Sequence, residues 1–272
     1  PAVDVAAGAA LALGGDEAAA ALTGGGSVAL GAATLTTGAA GDAAYMGTID
    51  GSGGLTKVGS GTVVLGGDNG YTGTTRIVAG TLAVAGTLDS QALQVDAGTL
   101  ALGAAERLAD GAAVTVAAGA QMTLAGNERI GTLALAGTLG GTGTLGAASY
   151  TLSGATVNAD LGSGTLTSTG DSRLAGTSAA DSVAVDAGTL TLATAARFTA
   201  LPALGVAAGA TLAMTVDETL GSLAAAGTLS GTGTLTAATY ALDGATVGAA
   251  MGGGALTSRG ASTLTRPAAV DT

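Results

Sequence analysis

The chain has 272 residues, with no Cys, His or Trp, 50 Gly and only 2% aromatic residues. The missing residue types exclude Cys-ligated clusters, His-based zinc centres and Ser-His-Asp triads, and a disulfide framework is excluded as well. The formal net charge of −11 argues against nucleic acid as a partner, because nucleic-acid binding needs a basic surface. With so few aromatic side chains to fill space, the core must be thin.

From the N-terminus, residues 7–13 and 16–22 are each compatible with a short helical turn. The rest of the chain alternates apolar and polar residues over three to five positions between Gly bends, which predicts short strands. Uncharged stretches such as 131–159 are long enough to suggest a membrane span. Because Gly and Thr interrupt this stretch every few residues, we interpret it as strands too.

The segment 48–82 carries the most specific pattern in the chain. It reads Gly51-Ser-Gly-Gly-Leu-Thr-Lys57, Gly59-Ser-Gly-Thr-Val-Val-Leu65, Asn69-Gly-Tyr-Thr-Gly-Thr-Thr75 and Ala79-Gly-Thr-Leu82. This order resembles the autotransporter-associated β-strand repeat of type V secreted passenger domains of Gram-negative bacteria. The resemblance implies a right-handed parallel β-helix, export to the cell surface and an adhesive or structural role. The residues that match the family pattern are Lys57, Asn69, Tyr71, Gly73 and Thr75.

Downstream, residues 97–176 align with 187–266 at a constant offset of 90 without gaps. Tyr150 and Tyr240 are equivalent in this alignment, and we expect them to occupy the same environment. A gapless duplication is typical of units that stack on one another. These units resemble the degenerate Gly-Thr-Leu repeats of very large bacterial surface adhesins.

Short strands between Gly bends leave a sandwich, a barrel or a solenoid, and the internal period is too short for paired hairpins. A solenoid coil of three short strands needs about 18–22 residues, so we predict an all-β fold, a parallel β-helix of about 13 coils. The run 131–148 resembles three hexads, which would fit a left-handed helix, whereas the wider spacings elsewhere fit right-handed coils better. In line with the family resemblance, we predict a right-handed parallel β-helix. We expect one continuous solenoid over 1–272, with N-terminal coils at 1–47, the family-like repeat at 48–96 and tandem repeats at 97–186 and 187–266. The leucines predicted to point inward are Leu82, Leu100, Leu139, Leu145, Leu190, Leu229 and Leu235.

Acidic residues are the first candidates for catalysis, because β-helix lyases and hydrolases use clustered carboxylates. The pairs Asp16/Glu17 and Asp217/Glu218 are adjacent in sequence, and neighbours in a strand point to opposite faces. Glu128 matches Glu218 across the repeat, as Arg107 matches Arg197. Because an active site is normally singular, we interpret these repeated residues as solvated surface charges or turn caps and assign no catalytic residue.

Three further patterns have structural explanations. Gly14-Gly-Asp16 and Gly66-Gly-Asp68 lack the regular spacing of a calcium roll, so we assign no metal or cofactor site. The pairs Thr142/Thr144, Thr165/Thr167 and Thr232/Thr234 do not recur on every coil, as an ice-binding face would require. For Tyr71, Tyr150 and Tyr240, packing at a coil corner with the hydroxyl in water is favoured over a sugar-stacking platform.

Together these features predict a non-enzymatic extracellular surface protein, a β-helical stalk or passenger segment of a bacterial adhesin that mediates attachment or display. We expect it at the outer surface of a Gram-negative bacterium. Its expected partners are a host-cell, matrix or neighbouring bacterial surface and an outer-membrane translocator during export, and self-association with a second copy is a further predicted interaction. The alternatives are a self-assembling surface fibre or sheath subunit and a polysaccharide-processing β-helix enzyme.

Overall fold

The computed structural model describes residues 1–193, 197–266 and 268–269. They form two compact units, 1–146 and 147–272, each built from parallel strands stacked as a β-solenoid. The two units together hold about 14 turns. The described residues contain no helix, and therefore no helix that could span a membrane. The prediction of an all-β parallel solenoid is confirmed.

In the unit 1–146, each turn visits a first sheet, a short third face and then a second sheet. The first sheet contains Ala2–Val5, Ala21–Gly24, Ala43–Tyr45, Thr62–Leu65, Thr81–Val84, Thr99–Leu102, Gln121–Leu124 and Thr138–Gly141. The second sheet contains Glu17–Ala19, Leu35–Thr37, Leu55–Lys57, Thr74–Ile77, Ala92–Val95, Ala113–Val116 and Thr132–Leu135. The third face contains Ala10–Ala12, Ser27–Gly31, Thr48–Gly51, Asp68–Asn69, Thr87–Leu88, Glu128–Arg129 and Thr144–Gly146.

The unit 147–272 repeats this plan. Its first sheet contains Thr156–Val157, Ser172–Leu174, Thr189–Leu192, Thr211–Met214, Thr228–Gly231, Thr246–Val247 and Thr263–Leu264. Its second sheet contains Ser149–Leu152, Thr165–Ser168, Ser182–Val185, Ala203–Val206, Glu218–Ala225, Thr234–Asp243 and Ala255–Arg259. The third face contains Asp160–Leu161 and Ala250–Met251, joined by the first residues of Glu218–Ala225 and Thr234–Asp243.

The helical turns predicted at 7–13 and 16–22 are wrong. Both segments contain strands, and each strand pairs with the following turn, Leu11 with Val28 and Ala18 with Thr36. Alanine has a high helix propensity, but this local preference is weak compared with tertiary interactions. Here the strands Ala10–Ala12 and Glu17–Ala19 pair with the backbone of the next turn, so the local preference is overridden.

The core is a set of columns of apolar side chains, one residue per turn. In the first unit Leu82 pairs with Leu100, Leu100 with Met122 and Met122 with Leu139. All seven leucines predicted to point inward are fully buried, which confirms the prediction. Because each turn adds only a few such residues, Leu, Val and Ala fill the interior without large aromatic rings.

The equivalence of the two 90-residue repeats extends to backbone conformation. Gly141 and Gly231 have φ of 114° and 120°, and Gly164 and Gly254 have φ of 128° and 138°. These left-handed conformations are open to glycine but strained for other residues. The repeat therefore copies turn geometry as well as sequence. Residues 194–196 of the second repeat lie outside the described residues.

Stacked glycines at the corners predict a position-specific cost of adding a methyl group. A Cβ on Gly73 would lie 2.2 Å from the carbonyl oxygen of Gly53 in the preceding turn, whereas a Cβ on Gly14 would meet nothing within 4 Å. We expect Gly73→Ala to lower the free energy of unfolding by more than about 2 kcal/mol and Gly14→Ala to change it by less than about 0.5 kcal/mol. Urea unfolding followed by circular dichroism measures both, and equal effects would contradict the stacking argument.

Candidate functional site

Five polar side chains are buried in or beside the segment 48–82, among the apolar residues of the core. We call them the polar cluster: Lys57, Asn69, Tyr71, Thr75 and Ser90, each no more than 1% exposed. Four of the five are residues of the resemblance described above. A buried polar group is tolerated only when its hydrogen-bonding capacity is met, so the partners of these side chains define what the motif does.

Lys57 is held as a cation inside the corner that follows its strand. Its Nζ donates to the carbonyl oxygens of Val58 at 2.9 Å, Gly59 at 2.9 Å and Ala79 at 3.0 Å. An ammonium group has three donors, and all three are used. The bond to Ala79 reaches the next turn, so the side chain ties two turns together.

Glycines above and below make room for this lysine. A Cβ on Gly38 would lie 2.9 Å from Cδ of Lys57, and a Cβ on Gly80 would lie 2.8 Å from its Nζ. Burial lowers the pKa of Lys57, and the charge of Asp42 acts in the opposite direction. The three carbonyl oxygens compensate the cost of burying the charge.

Asn69 connects three successive turns of the third face. Its Oδ1 accepts from the backbone N–H of Ile49 at 3.1 Å in the turn before. Its Nδ2 donates to the carbonyl oxygens of Gly67 at 2.7 Å and Thr87 at 3.2 Å, the latter in the turn after. A side-chain amide is needed at this position because it both donates and accepts.

Tyr71, Thr75 and Ser90 form a short hydrogen-bonded chain. The hydroxyl groups of Tyr71 and Thr75 lie 2.7 Å apart, and Ser90 Oγ accepts from the backbone N–H of Thr75 at 3.1 Å. Ser90 Oγ lies 2.7 Å from the carbonyl oxygen of Gly73, to which it can donate. Burial raises the pKa of Tyr71, with the bond to Thr75 opposing the shift. The Ser90 end of the chain is therefore fixed to the backbone, and the Tyr71 hydroxyl is held by Thr75.

Glu128 is buried, and its interpretation as a solvated surface charge is wrong. Its Oε2 accepts from the backbone N–H of Arg107 at 2.8 Å, and its Oε1 accepts from that of Leu108 at 3.0 Å. The carboxylate thereby meets two backbone donors of the preceding turn. Burial raises the pKa of Glu128; the bonds from Arg107 and Leu108 act against the shift, and the charge of Glu106 adds to it.

Glu218 is also buried and repeats this arrangement 90 residues later. It accepts from the backbone N–H groups of Arg197 at 2.7 Å and Phe198 at 3.2 Å. Asn69, Glu128 and Glu218 share one position: each points inward on the third face and accepts backbone N–H from the turn before. The sequence shows that Glu128 and Glu218 are equivalent positions of the 90-residue repeat. It does not show that their side chains point inward.

The arginines that accompany these glutamates are turn caps, as predicted. The guanidinium group of Arg107 donates to the carbonyl oxygens of Ala105 at 2.9 Å, Ala85 at 2.9 Å and Gly86 at 3.2 Å. Arg197 Nη1 donates to the carbonyl oxygen of Ala175 in the same way. Each arginine therefore closes a corner between turns.

The adjacent acidic pairs do not converge on a common site. Asp16 Oδ1 accepts from the backbone N–H of Thr34 at 2.8 Å, and Asp217 Oδ1 accepts from that of Thr234 at 2.7 Å. Glu218 points into the core instead. Other acids brace the following turn in the same manner: Asp42 with Thr62, Asp160 with Thr177 and Asp171 with Thr189.

The two candidate calcium turns are also used for bracing. Asp68 Oδ1 accepts from the hydroxyl of Thr87 at 3.1 Å, as Asp16 does from the next turn. Within the described ranges no group of three or more acidic side chains could hold a metal ion. The Thr-x-Thr pairs lie on different faces: in the second unit Thr165 begins a strand of the second sheet, whereas Thr234 begins on the third face.

All five aromatic side chains are buried, so none offers a ring to a sugar. Tyr150 and Tyr240 pack at coil corners, as predicted, but the expectation of a hydroxyl in water is wrong. Each hydroxyl oxygen accepts from a backbone N–H at 2.8 Å, that of Ala147 for Tyr150 and that of Ala237 for Tyr240. The matching environments confirm that the two tyrosines are equivalent.

Replacing Asn69 by Leu tests the importance of the polar cluster. Leu88 stands directly above it in the same column, so a leucine fits by shape. The backbone N–H of Ile49 and two carbonyl oxygens would lose their partner, and we expect a loss of about 2–4 kcal/mol in the free energy of unfolding. As a control, Asn127→Ala removes one bond to Thr144 at an exposed position and should cost less than about 1 kcal/mol. Equal losses in chemical denaturation would contradict a special role for Asn69.

Burial of Glu128 predicts a definite pH dependence. Because its pKa is raised above the ordinary value of 4.5, the native state holds the proton more tightly than the unfolded state. This contribution to stability is complete below about pH 4.5 and is lost as the pH rises through the raised pKa. Relative to Glu128→Gln, the wild type should therefore lose stability as the pH rises above about 4.5 in urea titrations. A wild type that gains stability relative to the variant as the pH rises would contradict this sign.

The comparison with family models found a match over part of the chain. Residues 55–84 match the passenger-associated transport repeat, a range that holds Lys57, Asn69, Tyr71 and Thr75. The comparisons with curated proteins and with solved structures found no match. The chain is thus a β-solenoid with a segment similar to the passenger-associated transport repeat, which confirms its resemblance to autotransporter passenger repeat proteins.

Proposed function

We propose that this chain is a non-enzymatic stalk or passenger segment of an extracellular adhesin of a Gram-negative bacterium. The observation that carries the proposal is the match to the passenger-associated transport repeat at 55–84. The buried polar side chains of this segment form hydrogen bonds between neighbouring turns. A segment built in this way supplies stiffness and length. Its work is to hold or present a contact surface, in line with a passenger domain.

The use of the acidic residues supports a scaffold over an enzyme. Asp16, Asp217, Glu128 and Glu218 each accept backbone N–H groups from another turn. Carboxylates that hydrolyse glycosidic bonds must instead face each other across a substrate. The duplication of Glu128 as Glu218 also favours a structural role. An active site normally occurs once in a chain, whereas every stacked repeat has the same backbone N–H groups to satisfy.

The partners that fit this role are a host-cell, matrix or neighbouring bacterial surface, with an outer-membrane translocator acting during export. Every aromatic ring is buried, so the exposed faces lack the large anchors that give strong single contacts. Attachment would then depend on many weak contacts spread along the sheets, whose combined strength rises with their number.

Removal of one whole repeat tests the scaffold role. Deleting 97–186 joins Asp96 to Ala187, which recreates the Asp-Ala junction found at 96–97 and 186–187. We expect this variant to fold with strand-type circular dichroism and to retain part of the adhesion of the intact chain, measured as bead retention on cell or matrix surfaces. Deleting 97–141, which is half a repeat and out of register, should prevent folding.

Each rival function predicts a different result. Unchanged adhesion after removal of 97–186 would contradict the spread-contact model. End-to-end growth of the intact chain in light scattering would favour the fibre subunit. Glycan turnover that is abolished by a single Asp or Glu substitution would favour the enzyme.

A further inference from the structure

The unit 147–272 has a groove of about 720 Å³ on the outer face of its second sheet. Its floor consists of small side chains from four successive turns. Ala184, Gly205, Ala224 and Ala241 are paired in register, and Ala207 and Ala226 lie beside them at the corner. The groove therefore runs across the strands, in the direction in which the turns stack.

The positions 90 residues earlier carry larger side chains at three of the four floor positions: Gln94, Thr115 and Thr151 stand where the groove has Ala184, Gly205 and Ala241. Inward residues also differ between the copies, as Met122 and Leu212 do, but they remain buried. The earlier copy thus supplies a version of the same surface with larger side chains.

Charges of both signs stand at the rim without partners of their own. Asp186, Asp243 and Arg259 line the groove, and within the described residues none of their side chains has an ion pair or hydrogen bond. Ninety residues earlier Asp96, the equivalent of Asp186, is paired with Arg76 at 2.5 Å. Within the described residues Asp186 therefore lacks the ion pair that its counterpart has, whereas the counterparts of Asp243 and Arg259 are the uncharged Ser153 and Thr169.

The spacing of these charges limits the length of a ligand that could contact all of them. Asp186 and Asp243 follow residues that are three turns apart in register, Val185 to Val206, Ala225 and Leu242. At about 4.8 Å per turn they are about 14 Å apart, and four residues of an extended peptide span about 13 Å. Arg259 pairs in register with Asp243 and lies one turn further on.

We propose that this groove binds an extended polypeptide segment of a partner protein, with basic residues at positions i and i+4, a small apolar residue at i+2 and an acidic residue at i+6. All four side chains lie on one face of an extended chain. The basic residues pair with Asp186 and Asp243, the small residue lies on the alanine floor and the acidic residue pairs with Arg259. This inference rests on the proposed function as an attachment scaffold and names one of its contacts.

The test uses the whole chain and a labelled synthetic peptide, Thr-Lys-Thr-Ala-Thr-Lys-Thr-Glu-Thr with blocked ends. Fluorescence anisotropy at low ionic strength should show binding that weakens with added salt, because the charged contacts are exposed. A control peptide with its lysines at i and i+3 places them on opposite faces and should not bind. Failure of the first peptide to bind, or equal binding of both, would overturn the proposal.

Variants of the groove introduce the residues found 90 positions earlier. The triple variant Ala184→Gln, Gly205→Thr, Ala241→Thr should fold, because a Cβ on Gly205 meets nothing within 4 Å, and it should lose peptide binding. The double variant Asp186→Asn, Asp243→Asn should bind about three- to tenfold more weakly. Unchanged binding in the triple variant would overturn the groove as the site.

Two other occupants give distinct results. If the intact chain were a dimer in sedimentation and the triple variant a monomer, the groove would be occupied by a second copy and the peptide proposal would be wrong. If peptide binding failed while deletion of 97–186 still reduced adhesion, the groove would be overturned and the scaffold function would stand.

Discussion

The parallel hydrogen-bond ladder between successive turns is the constraint on which the rest of this structure depends. Strands of neighbouring turns must lie about 4.8 Å apart on every face, whatever the length of the corners that join them. A corner that cannot approach its neighbour that closely is excluded, which is why a Cβ on Gly73 would collide with the backbone of Gly53. The glycine content and the thin core are both consequences of this spacing.

The polar interior follows from the places where the ladder is incomplete. On the third face the strands are short, and some backbone N–H groups have no carbonyl opposite them. Side chains of the next turn supply the missing acceptors: the amide of Asn69 for Ile49, and the carboxylates of Glu128 and Glu218 for the turns before them. The passenger-associated repeat and the 90-residue repeats thus solve one problem with different residue types.

The same principle accounts for much of the acidic composition. Several aspartates accept a backbone N–H from a threonine that begins a strand of the following turn, as Asp42 does for Thr62 and Asp171 for Thr189. Charge that would elsewhere indicate a metal or a catalytic site is used here to close corners. Asp186 and Asp243 lack such a partner within the described residues and also line the groove, so they are groups that could serve a ligand.

The sequence by itself determined the fold class, because alternation between Gly bends and a gapless repeat of 90 residues are compatible only with short stacked strands. It also determined the inward leucines and the motif at 48–82, since period-two alternation fixes which residues share a face. It did not determine the direction of Lys57, Glu128 or Glu218, and it suggested helix where Leu11 and Ala18 form strands. These features depend on a partner one turn away, at separations from 17 to 22 residues, and only the tertiary structure fixes which residues meet across a corner of variable length.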